Sequence, residues 1–121
     1  SRARWEYGGG IGKIRRDGFA SLNAGDRAGV VITRPLTFLG EGVLWVNADV
    51  ESGGYVKVSV LSEDAAEVPM FEEHNCNGVS MDTLCGAIRW KDREMLEEVK
   101  NRYIRLAFHL KNAKLYSFWI S

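Results

Sequence analysis

Three stretches of the chain alternate apolar and polar residues with a period of two, and this constrains the fold more than any other feature. In Tyr55–Leu61, Val56, Val58 and Val60 fall on one side and Tyr55, Lys57 and Ser59 on the other. In Arg102–Leu110, Ile104, Leu106, Phe108 and Leu110 oppose Tyr103, Arg105 and His109. In Val43–Asp49, Leu44, Val46 and Ala48 oppose Trp45 and Asn47. Successive side chains of a strand point to opposite faces, so this pattern belongs to a sheet with one buried face and one outer face.

Around these stretches the chain is punctuated by 13 glycines and only two prolines. Short apolar runs at Ile11–Ile14, Phe19–Leu22, Val30–Thr33, Leu36–Phe38, Ala87–Trp90 and Lys114–Ile120 read as further strands. Val68–Phe71 reads as a short edge piece, because Pro69 cannot donate to a ladder. Turns are expected at Asp17-Gly18, Asn23-Ala24-Gly25-Asp26, Gly40-Glu41-Gly42 and Asn112-Ala113, and a hairpin at Gly53-Gly54. Residues 72–84 look irregular. Asp92–Asn101 is the one helical window, with Met95, Leu96 and Val99 at helical spacing, enough for a turn or two. The chain has 121 residues, which fits one domain. The expected fold is all-β: an antiparallel two-sheet β-sandwich, jelly-roll-like, of roughly eight or nine short strands with at most one short helix. Residues 1–10, with Gly8-Gly9-Gly10, read as a flexible leader.

Sixteen basic residues balance sixteen acidic ones. This balance lacks the basic excess that neutralises phosphates and the polybasic run that binds anionic lipid, so neither nucleic acid nor a membrane is the expected partner. No Gly-x-Ser-x-Gly elbow, phosphate-binding loop or His-Glu-x-x-His motif occurs, and no catalytic residue, cofactor or calcium loop is assigned. The acidic pairs Glu63-Asp64, Glu72-Glu73 and Glu97-Glu98 read as solvated charges, because neighbours on a strand or helix point apart. His109 reads as a structural or surface residue of its strand. Cys76 and Cys85 are compatible with one disulfide, with two free thiols, or with a metal set including His74 and Asp82, although that spacing matches no common zinc pattern.

The aromatic residues point toward recognition. Four tryptophans and four tyrosines are many for a chain this short. Trp45, Tyr55 and Tyr103 fall on outward positions, Trp5 and Tyr7 lie in the glycine-rich opening, and Trp90 and Trp119 read as core. An exposed ring can stack on the apolar face of a sugar while adjacent Arg, Asn or Asp groups bind its hydroxyls. The competing reading is that these rings pack on a neighbouring domain.

Several words occur in order along the chain: Arg16-Asp17-Gly18-Phe19-Ala20-Ser21-Leu22, Ile32-Thr33-Arg34-Pro35-Leu36, Leu44-Trp45-Val46-Asn47-Ala48, Ile104-Arg105-Leu106-Ala107-Phe108, and Asn112-Ala113-Lys114-Leu115-Tyr116-Ser117-Phe118. From about Gly12 to Ile120 the chain thereby resembles the accessory β-sandwich domains at the carboxyl end of large secreted proteins. Their companions are β-propellers similar to family 32 glycoside hydrolases and sialidase-like proteins. In those proteins the propeller carries the catalytic carboxylates, so the resemblance transfers no catalytic residue. The Cys76–Cys85 segment is outside the shared pattern. The resemblance implies an extracellular, non-enzymatic module excised from a longer protein, with a glycan ligand or a neighbouring catalytic domain as partner. The candidate carbohydrate-binding residues are Trp45, Tyr55, Tyr103 and Arg105, then Trp5 and His74. The alternative is a purely structural sandwich that packs on its neighbour.

Overall fold

A computed structural model describes residues 3–6, 19–24, 28–38, 41–91 and 96–121, with side chains described from residue 29 onward within those ranges. The strands are β1 (Ala3–Glu6), β2 (Phe19–Ala24), β3 (Ala28–Thr33), β4 (Leu44–Ser62), β5 (Thr83–Ile88) and β6 (Ile104–Ile120), with short 3-10 turns at Glu73–Asn75 and Glu97–Val99. The all-β class is as expected. The expected strand at Ile11–Ile14 and the turn at Asp17-Gly18 lie outside the described residues, as do Tyr7, Gly8-Gly9-Gly10, part of the turn that follows β2, and residues 92–95 of the helical window. The rest of that window forms the second 3-10 turn, with Leu96 and Val99 buried.

The strands form one six-stranded sheet, in which β2, β3, β6, β4 and β5 follow in order and β1 pairs with the later part of β6. All pairings are antiparallel. The described residues therefore build a single connected sheet, where two separate sheets were expected. The difference comes from β4 and β6. Gly53-Gly54 does not make a hairpin, and Asn112-Ala113 does not make a turn. Each pair lies inside a long strand, β4 of 19 residues and β6 of 17. The two strands pair along most of their length, from Leu44 opposite Ile120 to Ser62 opposite Ile104, with a shift of register between Val50 and Tyr55.

At that shift Val50 lies opposite Ala113 and Tyr55 opposite Lys111, so residues 51–54 of β4 span the place of Asn112 alone on β6. A bulge of this kind bends a strand and strengthens its twist. The turn-forming residues are needed for it. Gly53 has φ +80° and Asn112 has φ +46°, in the left-handed region that suits glycine and asparagine. A Cβ at Gly54 would lie 2.3 Å from the Lys111 carbonyl oxygen. The two expected turns thus meet across the sheet as one shared bend.

The bend divides the sheet into two arms. The first contains β1, the later half of β6, the earlier half of β4, and β5. The second contains β2, β3, the earlier half of β6 and the later half of β4. Leu44, Val46, Ala48 and Val50 from one arm and Val56, Val58 and Val60 from the other belong to one buried cluster, with Leu106, Phe108, Leu115, Phe118 and Ile120 of β6. Removing this apolar surface from water at about 25 cal/mol per Å² is the main force holding the arms together. Phe108 and Phe118 pack 4.8 Å apart between ring centres, joining the two halves of β6.

The ladder is patched where the chain departs from regular pairing. Beyond β3, Pro35 interrupts the strand, but Thr33 Oγ1 accepts the Leu106 N–H at 3.0 Å. Leu36 and Ile104 then exchange reciprocal 2.8 Å backbone bonds. Along the later half of β4 the neighbour is the irregular segment 67–79. Val68 N–H donates to the Val60 carbonyl, Val60 N–H donates to the Phe71 carbonyl, and Val56 and Val79 exchange bonds. Between them, Val58 N–H donates to Cys76 Sγ at 3.2 Å and the Val58 carbonyl accepts Trp90 Nε1–H at 2.9 Å. Two side chains replace a missing strand there, as buried backbone groups require partners. Trp90 is core, as expected, and meets Phe71 edge-on.

Candidate functional site

The outer face of the first arm presents consecutive rows across β4 and β6. Trp45 lies opposite Trp119, Asn47 opposite Ser117, and Asp49 opposite Lys114. They alternate with Leu44, Val46, Ala48 and Val50, all buried, so they are held on the outer side by the same period that fills the core. Both tryptophans are half-buried. Trp45 Nε1–H donates to Ser121 Oγ at 2.8 Å, which fixes its indole. Register slips at Tyr116, between the Asn47–Ser117 and Ala48–Leu115 pairs. The phenol of Tyr116 donates to Asp49 Oδ2 at 2.6 Å. That hydrogen bond is the main cause of a phenol pKa held above its usual value.

The strip runs into a cleft of about 400 Å³ at the bend. Asp49, Glu51, Asp82, Asn112 and Lys114 supply its polar groups, with Val50 and Ala113 beside them. Asp82 reaches it from the loop before β5, held by a 2.7 Å bond from Val50 N–H to its Oδ1. The cleft size is that of a small-ligand site. Its carboxylates accept hydrogen bonds, and the Asn112 amide and Lys114 ammonium donate them. The rows from Trp45 to Asp49 span about 13 Å at ~3.3 Å per strand residue.

The sequence-derived candidates do not form one site. Trp45 lies on this strip. Tyr55 is across the bend, opposite Lys111, and Lys57 Nζ sits 4.9 Å from its ring centre, covering that face. Tyr103, 60% exposed, and Arg105 are at the far end of the second arm. Arg105 is occupied by two carbonyls, those of Thr33 at 3.2 Å and Glu63 at 3.1 Å. Trp5 pairs in register with Phe118 on β1, and its side chain lies outside the described residues. His74 is exposed on the 3-10 turn Glu73–Asn75.

Of the alternatives left open for Cys76 and Cys85, the structure has two free thiols and no disulfide between them. Cys76 is buried against Val58, where burial pushes its pKa up, whereas Cys85 is exposed on β5. Among the described residues no three His, Cys, Asp or Glu side chains converge as metal ligands, so His74, Cys76, Asp82 and Cys85 do not assemble into a site. Trp119, read as core, stands on the outer side. Phe118 and Ile120 point inward on either side of it, and that alternation was the available signal. The cleft carried no signal of its own, because it exists only once the Gly53-Gly54 and Asn112-Ala113 segments meet.

Comparison of the chain with protein families, curated proteins and solved structures finds no match.

Proposed function

We propose that the protein is a non-catalytic recognition module that binds carbohydrate on the outer face of its first arm. The reading rests on one observation: the Trp45–Trp119, Asn47–Ser117 and Asp49–Lys114 rows lead into the polar cleft at the bend. Indole rings offer apolar surface to the C–H face of a sugar, and carboxylate, amide and ammonium groups meet its hydroxyls. In this reading the two arms act as the layers of a sandwich-like, jelly-roll-like scaffold. The module serves as an accessory domain of an exported glycan-active protein, as the sequence resemblance implies.

The test is titration with a panel of neutral, acidic and amino-containing oligosaccharides, followed by tryptophan fluorescence. Saturable quenching by at least one glycan is expected, with affinity lowered ten-fold or more in Trp45→Ala and in Asp49→Asn while both variants stay folded. Absence of a response to every glycan contradicts the reading.

A second reading, a structural module packing on a neighbouring domain, draws on Met81, just before β5, and Leu84, on it, which are 71% and 81% exposed. Exposed apolar side chains at a sheet edge favour contact with another surface. A silent glycan panel is the outcome that this reading expects.

A further inference from the structure

The cleft at the bend holds more negative than positive charge. Asp49, Glu51 and Asp82 line it, against one cation, Lys114, and the uncharged amide of Asn112. All four charged side chains are exposed, so a ligand reaches them without disturbing the core. Two of the carboxylates are fixed through one oxygen each. Asp49 Oδ2 accepts the Tyr116 hydroxyl at 2.6 Å, and Asp82 Oδ1 accepts the Val50 N–H at 2.7 Å. These bonds aim the groups and leave the second oxygen of each to accept from a ligand. The two charges also reach the same place. The bond to Asp49 is the main reason that the Tyr116 phenol is held above its ordinary pKa, and the negative charges of Asp49 and Asp82 add to the effect.

A further open group lies on the strip itself. Ser117, in the outward row with Asn47, is 1% exposed, and its Oγ has no hydrogen-bond partner among the described residues. A buried hydroxyl in that condition is uncommon in a folded protein. It lies between the Trp45–Trp119 row and the Asp49–Lys114 row. Strip and cleft together therefore offer indole surface at one end and a surplus of acceptors at the other. Sugar hydroxyls donate as readily as they accept and gain little from such a surplus. A uronic or sulfated sugar brings another anion against three carboxylates. An ammonium brings three donors, no acceptor and a positive charge.

We propose that the strip and cleft select glycans that carry free amino groups, with a sugar face on the Trp45–Trp119 row and an ammonium among Asp49, Glu51 and Asp82. This inference rests on the carbohydrate reading above and adds the class of sugar to it. The strip is about 13 Å long from Trp45 to Asp49, at ~3.3 Å per residue, which exceeds one sugar ring, so the ligand is an oligosaccharide. Lys114, opposite Asp49, opposes the ammonium and thereby gives the test a sign.

Calorimetric titration at about pH 6, where a free amine is protonated, compares three oligosaccharides of equal length: a glucosamine oligomer, its N-acetylated counterpart and a uronic acid oligomer. The amino oligomer is expected to bind at least ten-fold more tightly than the acetylated one, and the acidic oligomer most weakly. The ratio of the first two falls several-fold between about 0.05 M and about 0.5 M salt, because exposed charges are screened. It also falls in Glu51→Gln and in Asp82→Asn, which each lose a charge and keep an acceptor, and it rises in Lys114→Gln. These opposite signs separate charge selection from damage to the fold, and Lys114→Gln carries the test should an acidic variant not fold. An acetylated or acidic oligomer that binds as tightly as the amino one, or a ratio unmoved in all three variants, overturns the selectivity and leaves the carbohydrate reading standing. A diamine such as putrescine binding as tightly as the amino oligomer also overturns it, because the sugar would then contribute nothing. Silence toward every glycan overturns the carbohydrate reading itself and this inference with it.

Discussion

At the scale of single residues, the cysteines show how placement decides chemistry. Cys76 and Cys85 have similar sequence neighbourhoods, polar and glycine-containing, and spacing alone left a disulfide open. The fold separates their roles. Cys76 is drawn inward because Val58 needs an acceptor where the strand beside β4 is irregular, while Cys85 stays at the surface. Desolvation disfavours the thiolate, which is the reactive form. One thiol, Cys85, is therefore expected to react promptly with a thiol reagent in the native protein, and a second only on unfolding. Mass spectrometry of the labelled peptides checks this. Slow, equal reaction of both, or a mass two protons lower without reductant, contradicts it. Ser59 and His109 make the same point about legibility. Alternation places both on the outer side, where Ser59 Oγ is 2.9 Å from His109 Nε2 and Glu73 Oε1 is 3.5 Å from His109 Nδ1. Nothing in the sequence indicates that Glu73, more than thirty positions before His109, would meet the ring.

At the scale of elements, the alternating stretches were legible and their connections were not. The inward sets Leu44–Val46–Ala48, Val56–Val58–Val60 and Ile104–Leu106–Phe108–Leu110 are all buried, because period-two patterning is a direct consequence of the pleat. Gly53-Gly54 and Asn112-Ala113 do not reveal their role in sequence, because the same backbone freedom serves a hairpin, where the chain reverses, and a bulge, where it bends and continues. Only the pairing partner distinguishes the two, and the partner is distant in sequence. The bend yields a graded prediction. Gly54→Ala forces a Cβ against the Lys111 carbonyl and is expected to destabilise by about 1–3 kcal/mol or more. Gly53→Ala meets nothing within 4 Å and loses only the ease of positive φ, about 1–2 kcal/mol. Urea denaturation of the pair measures both. A larger loss for Gly53→Ala would contradict the shared bend.

At the scale of the whole molecule, the two sides of one sheet differ. Its inner side closes on a single apolar cluster. Its outer side differs between the arms. On the second arm Ser59, Leu61 and Ala107 fall outward by register and are nevertheless buried, so that arm is covered on both sides. The first arm keeps Trp45, Asn47, Asp49, Lys114, Tyr116 and Trp119 half-buried or exposed, with Ser117 buried among them. On the proposed reading, this asymmetry is what favours the first arm as the binding face. Alternation fixes outward position strand by strand, whereas sharing a face depends on register across strands that the sequence does not state. Trp45 was found from alternation alone; the Asp49, Asp82 and Lys114 cleft required the bend.

The most direct test of this assignment is a map of amide and indole NMR shifts as a glycan selected by the fluorescence panel is added. The account predicts perturbations confined to Trp45, Asn47, Asp49, Lys114, Tyr116 and Trp119 and to the loop bearing Asp82. Perturbations centred on Tyr103 and Arg105, or none at saturating ligand, would contradict it.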